Sequence, residues 1–290
     1  MTQPREFLFF IKLIFYSVAI FGIISKDNVK WMRGDQILNI NIDGLNIHYI
    51  DEGVGEPLLM LHGWGASCQS YKGIIGAVKH KYRCIALDFP GCGQSEVMKT
   101  PWTLDDYVTL VEKFIDALSL ENPIMFGHSH GGRVTLKMAA EGAVSPKKII
   151  LLDSAGLIPK KTAKQKWRAG SFKAIKRVLT LPPLAKPCAG LLDRARAHYG
   201  SADYNAAPPV LRQTLVSLVN TDIRDILPRI TASTLLIWGE KDTATPLSDA
   251  KIIEKSIKDC GLCVIPNTGH WSFVENPAMA HAIIRNFLGA

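Results

Sequence analysis

The tightest constraint on this chain is the run Gly127-His128-Ser129-His130-Gly131-Gly132, which follows the apolar stretch Ile124-Met125-Phe126 directly. G-x-S-x-G at the point where a strand gives way to a helix is the pattern of a nucleophile elbow. A turn this tight leaves no room for a Cβ two residues before or two residues after the serine. The strain pushes the Ser129 hydroxyl clear of the backbone, where a base can reach it. By itself the pattern is common, so its surroundings decide what it means.

Those surroundings alternate between strand and helix. Apolar or alternating stretches at 37–42 and 45–50 flank Asp43-Gly44, a strong hairpin signal. Buried strands are expected at 57–61, 83–88, 123–126, 148–152, 233–238 and 262–265, with helices at about 70–79, 103–118, 133–140, 247–257 and 278–288. Thr103 suits the N-cap of the second helix, and Asp105 and Asp106 in its first turn suit the macrodipole. This order predicts an α/β fold with a doubly wound, mostly parallel sheet. At 290 residues the chain can bury one full core, placed here over 36–290. The alternation breaks at about 157–228, a stretch rich in helix formers and punctuated by Pro182-Pro183, Pro187 and Pro208-Pro209. An insert that long after the sixth strand is expected to be a helical lid over a site.

Net charge is +8, but it is local. Residues 157–200 hold eleven Lys/Arg against the single acid Asp193, a balance of +10, and the rest of the chain comes to −2. The basicity therefore describes one insert, either as a solvated face or as an attractor for an acidic or lipid-like substrate. It lacks the interleaved aromatics of a nucleic-acid surface, and no DNA or RNA partner is expected. Six scattered cysteines fit a reducing compartment better than a disulfide framework. Cys260-Gly261-Leu262-Cys263 has redox spacing, yet it runs into an apolar strand instead of the helix that would lower a thiol pKa.

The first 35 residues read separately. Phe7 to Ser25 is apolar except for Lys12, with Ser17 and Gly22 inside. Nineteen residues rise about 28 Å as a helix, near the hydrocarbon thickness of a bilayer. This predicts a membrane anchor. Lys26, Lys30 and Arg33 behind it would place the following domain on the cytoplasmic side. A start-site extension on a soluble cytoplasmic protein is the alternative.

Besides the elbow, four further motifs occur in order along the chain, two before it and two after it. They are His62-Gly63-Trp64-Gly65 after the third strand, Asp88-Phe89-Pro90-Gly91-Cys92-Gly93-Gln94-Ser95 after the fourth, Trp238-Gly239-Glu240-Lys241-Asp242 ending the seventh, and Gly269-His270 after the eighth. With these, residues 36–290 resemble the α/β-hydrolase family, whose order is Ser…Asp…His. The chemistry also stands on the residues themselves. A serine hydroxyl is a poor nucleophile at neutral pH and needs a base, for which His270 is the candidate. Asp242 would hold the imidazole tautomer, with Asp153 after the sixth strand as the rival acid.

The resemblance further implies an oxyanion hole made from the backbone N–H groups of Trp64 and His130. The side chains of His128 and His130 read as packing groups, His62 as a brace for the oxyanion loop, Glu240 as a surface residue or a support behind the site, and 88–95 as a structural turn. No metal or other cofactor is implied, since neither a Walker pattern nor a dinucleotide fingerprint occurs. Serine at the elbow argues against the related haloalkane dehalogenases and epoxide hydrolases, which use aspartate there. The expected activity is carboxylesterase-like hydrolysis of a small-molecule acyl substrate, an ester or thioester, through an acyl-serine. Carbon–carbon bond hydrolysis and a ligand-binding receptor with little turnover remain open.

Overall fold

In a computed structural model of the chain, the described residues are 38–158 and 202–290, and between them only 167, 170, 171, 174, 175, 177–179, 181, 190 and 191. The chain divides into two units, Met1–Ile37 and Leu38–Ala290. The first lies outside the described residues.

The second unit opens with the predicted hairpin. Asp43 and Gly44 both take positive φ, 52° and 81°, so β1 (Leu38–Ile42) turns back into β2 (Leu45–Glu52) with Ile42 facing Leu45. Six more strands follow: β3 (Glu56–Leu61), β4 (Tyr82–Leu87), β5 (Ile124–His128), β6 (Lys148–Leu152), β7 (Ser233–Gly239) and β8 (Cys260–Ile265). They form one sheet in the order β1-β2-β4-β3-β5-β6-β7-β8. The β1–β2 and β2–β4 pairs are antiparallel and every other pair is parallel. The expected doubly wound, mostly parallel sheet is present.

Both faces of that sheet are covered, which is why its strands read as unbroken apolar runs. Successive side chains of β3 divide between two cores: Leu59 and Leu61 join one, Leu58 and Met60 the other. β5 does the same with Met125 against Ile124 and Phe126. Each fully buried aliphatic side chain contributes about 1.5–3 kcal/mol.

The covering helices are α1 (Lys72–Val78), α2 (Leu104–Ala117), α3 (His130–Glu141), α4 (Ala202–Ala206), α5 (Pro209–Val219), α6 (Leu247–Ser256), α7 (Ser272–Glu275) and α8 (Pro277–Leu288). A capping box starts α2: the Thr103 hydroxyl accepts from Asp106 N, and the Asp106 carboxylate accepts from Thr103 N at 2.7 Å. α3 begins three residues before its predicted start. Gly131 and Gly132 read as turn punctuation, but they form the helix's first turn because nothing larger fits there.

Most of the basic stretch in the predicted 157–228 insert lies outside the described residues. Its described end, α5, packs on segments that follow β4 and β5. Thr214 Oγ1 accepts from Trp102 N at 2.9 Å, the Leu211 side chain sits on Gly91, and the Arg133 guanidinium donates to the Leu218 carbonyl at the end of α5. A cation at that end also suits the helix dipole.

The expected membrane anchor and the membrane-bound, cytoplasm-facing placement built on it require correction. Among the described residues no helix is long and apolar enough to cross a membrane. The longest of these helices, α2, has 14 residues and packs one face on the sheet, whereas a span needs about 20 apolar residues. Residues 7–25 themselves lie outside the described residues.

Candidate active site

Ser129 stands between β5 and α3 with φ 48° and ψ −111°, a conformation costing a non-glycine residue about 1–3 kcal/mol. The strain is held from both sides. Ser129 N–H donates to the Leu152 carbonyl at 3.1 Å, and the Ser129 carbonyl accepts from Arg133 N at 3.1 Å and Ala155 N at 3.0 Å. The glycines are steric requirements. A Cβ on Gly127 would lie 2.6 Å from the Gly132 Cα, and one on Gly131 would overlap the Leu61 carbonyl.

His270 arrives on the loop after β8, fastened by its neighbours. Lys241 N donates to the Thr268 carbonyl at 2.8 Å, Gly269 N to Glu275 Oε2 at 2.9 Å, and Asn267 N to Glu240 Oε2 at 2.9 Å. Glu240 is thus a strut for this loop. The imidazole Nε2 lies 3.0 Å from Ser129 Oγ, and its Nδ1 lies 2.8 Å from Asp242 Oδ2. Asp242 is itself oriented. Its Oδ1 accepts from Ala244 N at 2.8 Å and Thr245 N at 3.0 Å, and its Oδ2 accepts from Thr245 Oγ1 at 2.6 Å. Burial works to raise this carboxyl, but the His270 hydrogen bond and charge and the Thr245 donors outweigh it. Asp242 therefore titrates below its ordinary value.

Asp153 is buried and faces elsewhere. Its Oδ1 accepts from Gly239 N at 2.7 Å, and its Oδ2 from Ser272 Oγ at 2.6 Å and Ser272 N at 3.2 Å. Burial pushes it up to about 7, only partly offset by the Ser272 and Gly239 donors, and Asp242 adds to the rise. Of the two acids, Asp242 is the one within hydrogen-bond reach of His270.

Trp64 lies in the loop after β3, where Ala66 N donates to the Gly63 carbonyl at 3.2 Å and Gly65 takes φ 68°. Among the described residues the Trp64 N–H has no acceptor. His130 opens α3, where first-turn N–H groups have no intrahelical partner. His62 ties this loop down: its Nε2 accepts from Phe89 N at 2.9 Å, so Nδ1 carries the proton and donates to the Gly63 carbonyl at 2.7 Å. Burial, partly offset by Asp88 and Gly63, holds it below its ordinary value. His128 donates from Nε2 to the His270 carbonyl at 2.9 Å. Burial pushes it down to about 3, and the neighbouring His270 adds to the drop.

Sequence reasoning missed Thr245, which braces the acid from two sides; its signal was the spacing Asp242-Thr243-Ala244-Thr245, a side-chain turn pattern. It also missed His48, whose Nδ1 lies 2.8 Å from Asp88 Oδ2. His48, Cys68 and Asp88 bring ligand-type atoms within 4.8 Å of one another. Those carboxylate oxygens are already engaged, by Cys68 N at 2.6 Å and Gln94 N at 2.9 Å as well as His48. The cluster works as a hydrogen-bonded knot that shapes the 88–95 turn, and a Cβ on Gly93 would overlap the Asp88 carboxylate.

Residues 56–277 match the family profile described as alpha/beta hydrolase fold. Haloalkane dehalogenase 2 of Mycobacterium tuberculosis (strain ATCC 25618 / H37Rv) is 29% identical over 271 residues, 83% of this chain and 91% of its own length. The 2-hydroxy-6-oxo-6-phenylhexa-2,4-dienoate hydrolase of Burkholderia cepacia is 27% identical over 280 residues, 87% and 96% of the two chains. Among solved structures, a membrane phospholipase A superposes with a TM-score of 0.71 at 23% identity, covering 99% of this chain and 98% of that one. With eight strands in the expected order, a strained serine after the fifth and a matching profile over most of its length, the chain belongs to the α/β-hydrolase fold family.

Proposed function

We propose that this chain is a serine hydrolase that cleaves a carboxylic ester or related acyl bond through an acyl-serine. The observation that carries the reading is the chain of contacts from Ser129 Oγ to His270 Nε2 at 3.0 Å and from His270 Nδ1 to Asp242 Oδ2 at 2.8 Å. In the first half-reaction His270 takes the Ser129 proton as Oγ attacks the scissile carbonyl. Asp242 holds Nδ1–H and stabilises the imidazolium. The tetrahedral oxyanion accepts from the Trp64 and His130 N–H groups, each donor contributing about 3–4 kcal/mol. His270 then gives its proton to the departing alcohol, leaving the acyl group on Ser129. Water repeats the sequence and releases the acid. In this reading 36–290 is the catalytic domain and the insert at 157–228 is its lid.

The test is labelling with a fluorophosphonate probe together with turnover of short-chain 4-nitrophenyl esters. Ser129 takes the label, and Ser129→Ala loses both label and turnover. A folded protein that does neither would fit a ligand-binding receptor and would falsify the proposal. A second reading is favoured by the Burkholderia relative, whose name assigns it carbon–carbon hydrolysis of a dienoate. The same three side chains serve that reaction, and turnover of that dienoate in place of esters decides for it. A dehalogenase reading has less support, because the elbow carries serine.

A further inference from the structure

The proposed reaction engages Ser129, His270 and Asp242 and gives the side chain just before the nucleophile no part. His128 is 1% exposed, and its Nε2 donates to the His270 carbonyl at 2.9 Å. A carbonyl can only accept, so the one proton of this neutral ring sits on Nε2 and leaves Nδ1 bare. Among the described residues that Nδ1 has no hydrogen-bond partner. A buried ring with an open nitrogen is a poor filler, because leucine or phenylalanine would take the space without that cost. Packing alone therefore does not account for histidine at 128. The hydrogen bond it donates does.

The place of that bond matters. His270 is fastened on both flanks, through Gly269 N to Glu275 before it and through Ser272 N and Oγ to Asp153 after it. Neither fastening reaches the elbow. Among the described residues, two hydrogen bonds cross from 127–133 to the loop at 266–275. One is the contact between Ser129 Oγ and His270 Nε2, and the other is the His128 bond to the His270 carbonyl. The ring also meets the oxyanion loop, since a Cβ on Gly63 would lie 2.6 Å from His128 Nδ1 and 3.2 Å from the Ser129 Cβ. Trp271 packs on it at 4.4 Å between ring centroids. Burial, with His270 adding to the drop, pushes His128 down to about 3. It therefore keeps the same single donor while His270 gains and loses a proton.

We infer that His128 is a positioning residue, whose Nε2–H holds the His270 main chain against the elbow and so sets the distance over which His270 takes the Ser129 proton. The inference rests on the acyl-serine reading and adds a fourth side chain to it, one that acts through His270 and not on the substrate. Asp242 fixes the far edge of the imidazole, and His128 fixes the backbone from which the imidazole hangs. Without the second hold the ring can drift, and a displacement of about 1 Å costs a reaction about a hundredfold. The proton moves in the transition state, so the loss falls on kcat and leaves KM nearly unchanged.

The experiment compares three variants of the full chain that differ in where they can donate. In His128→Gln the amide nitrogen falls near the place of Nε2, in His128→Asn near that of Nδ1, and His128→Phe fills the space with no donor. Hydrolysis of 4-nitrophenyl acetate and 4-nitrophenyl butyrate is measured for each. The Phe and Asn proteins lose about tenfold to a hundredfold in kcat on both esters with KM within about threefold, and Gln recovers most of the loss. A Phe protein as active as wild type, or a Gln protein no better than Asn, overturns the inference, because packing would then suffice. If none of the variants folds, spectra of the wild type with 15N-labelled histidine carry the test. A His128 proton on Nε2 supports the inference, and a proton on Nδ1 overturns it, since Nε2 could not then donate. Fluorophosphonate labelling separates the two failures. A wild-type Ser129 that labels no faster than it does in the Phe protein removes the role of His128 alone, and an unlabelled wild-type Ser129 removes the acyl-serine reading with it.

Discussion

Changing Asp242 to Asn alters one atom, and the hydrogen bonds around it dictate the outcome. Oδ1 accepts two backbone N–H groups, from Ala244 at 2.8 Å and Thr245 at 3.0 Å, while Oδ2 faces His270 Nδ1 at 2.8 Å and the Thr245 hydroxyl at 2.6 Å. An amide must keep its oxygen on the Oδ1 side, since an NH2 group there would oppose both N–H donors. Its NH2 therefore meets Nδ1 of His270, and the Thr245 hydroxyl rotates to accept. A donor facing Nδ1 requires that nitrogen to be bare, so the proton moves to Nε2. There it points at Ser129 Oγ, 3.0 Å away, and Nε2 can no longer take the serine proton. The wrong tautomer in a serine triad costs about 10⁴ in kcat, or about 5 kcal/mol of transition-state stabilisation.

The control is Asp153→Asn. Asp153 reaches Gly239 and Ser272 and makes no hydrogen bond to His270. Burial pushes it up to about 7, and what it holds is the Gly239 N–H and Ser272, outside the proton path from Ser129 to His270. Its effect on kcat should stay under about tenfold, the scale of one neutral hydrogen bond. Single-turnover release of 4-nitrophenol, normalised to folded protein by circular dichroism, measures both variants. An Asp242→Asn protein within about tenfold of wild type, or greater damage from Asp153→Asn, would refute the assignment of the acid.

Three further outcomes follow from the same coordinates. Gly127→Ala places a Cβ 2.6 Å from both the Cα and N of Gly132, atoms that cannot rotate away. Urea unfolding should show a loss of about 3 kcal/mol or more, and an unchanged midpoint contradicts the packing at the elbow. His128, pushed down to about 3 by burial and its His270 neighbour, binds a proton in the unfolded chain below about 6.5 and in the folded chain only near 3. Its stabilisation is full above the upper value and is lost as pH falls through that window. Between pH 7 and 5 the wild type should lose about 2 kcal/mol more than His128→Gln in urea titrations, and parallel profiles dismiss the effect. Burial pushes Cys84 and Cys260 up to about 12 and Cys92 up to about 11. Iodoacetamide at pH 8 should leave all three unmodified in folded protein by mass spectrometry, and fast labelling of Cys260 would revive a redox reading of its C-x-x-C spacing.

What could be read in advance depends on whether a requirement is local. The elbow was legible because three glycines and a serine satisfy a constraint confined to six residues, and the hairpin because Asp43-Gly44 takes positive φ without help from the rest of the fold. The start of α3 was not, since isolated propensity penalises Gly131 and Gly132 and only the adjacent Leu61 carbonyl and Ser154 side chain make them necessary. The rival acids show the limit most clearly. Asp153 and Asp242 follow β6 and β7, neighbouring parallel strands, so a residue pattern puts both carboxylates at the same edge of the sheet. What separates them is the path of the chain after each strand. Asp153 follows β6 immediately, with φ 44°, and turns under the site to meet Gly239 and Ser272. Asp242 comes three residues after β7, and the turn ending at Thr245 swings it up to His270. Thr245 lies 25 residues from the imidazole it supports, and His48 lies 40 from Asp88. No periodicity links residues at such distances. Only the register of the sheet brings them together, so the reacting groups can be named from sequence while the groups that hold them in place require the fold.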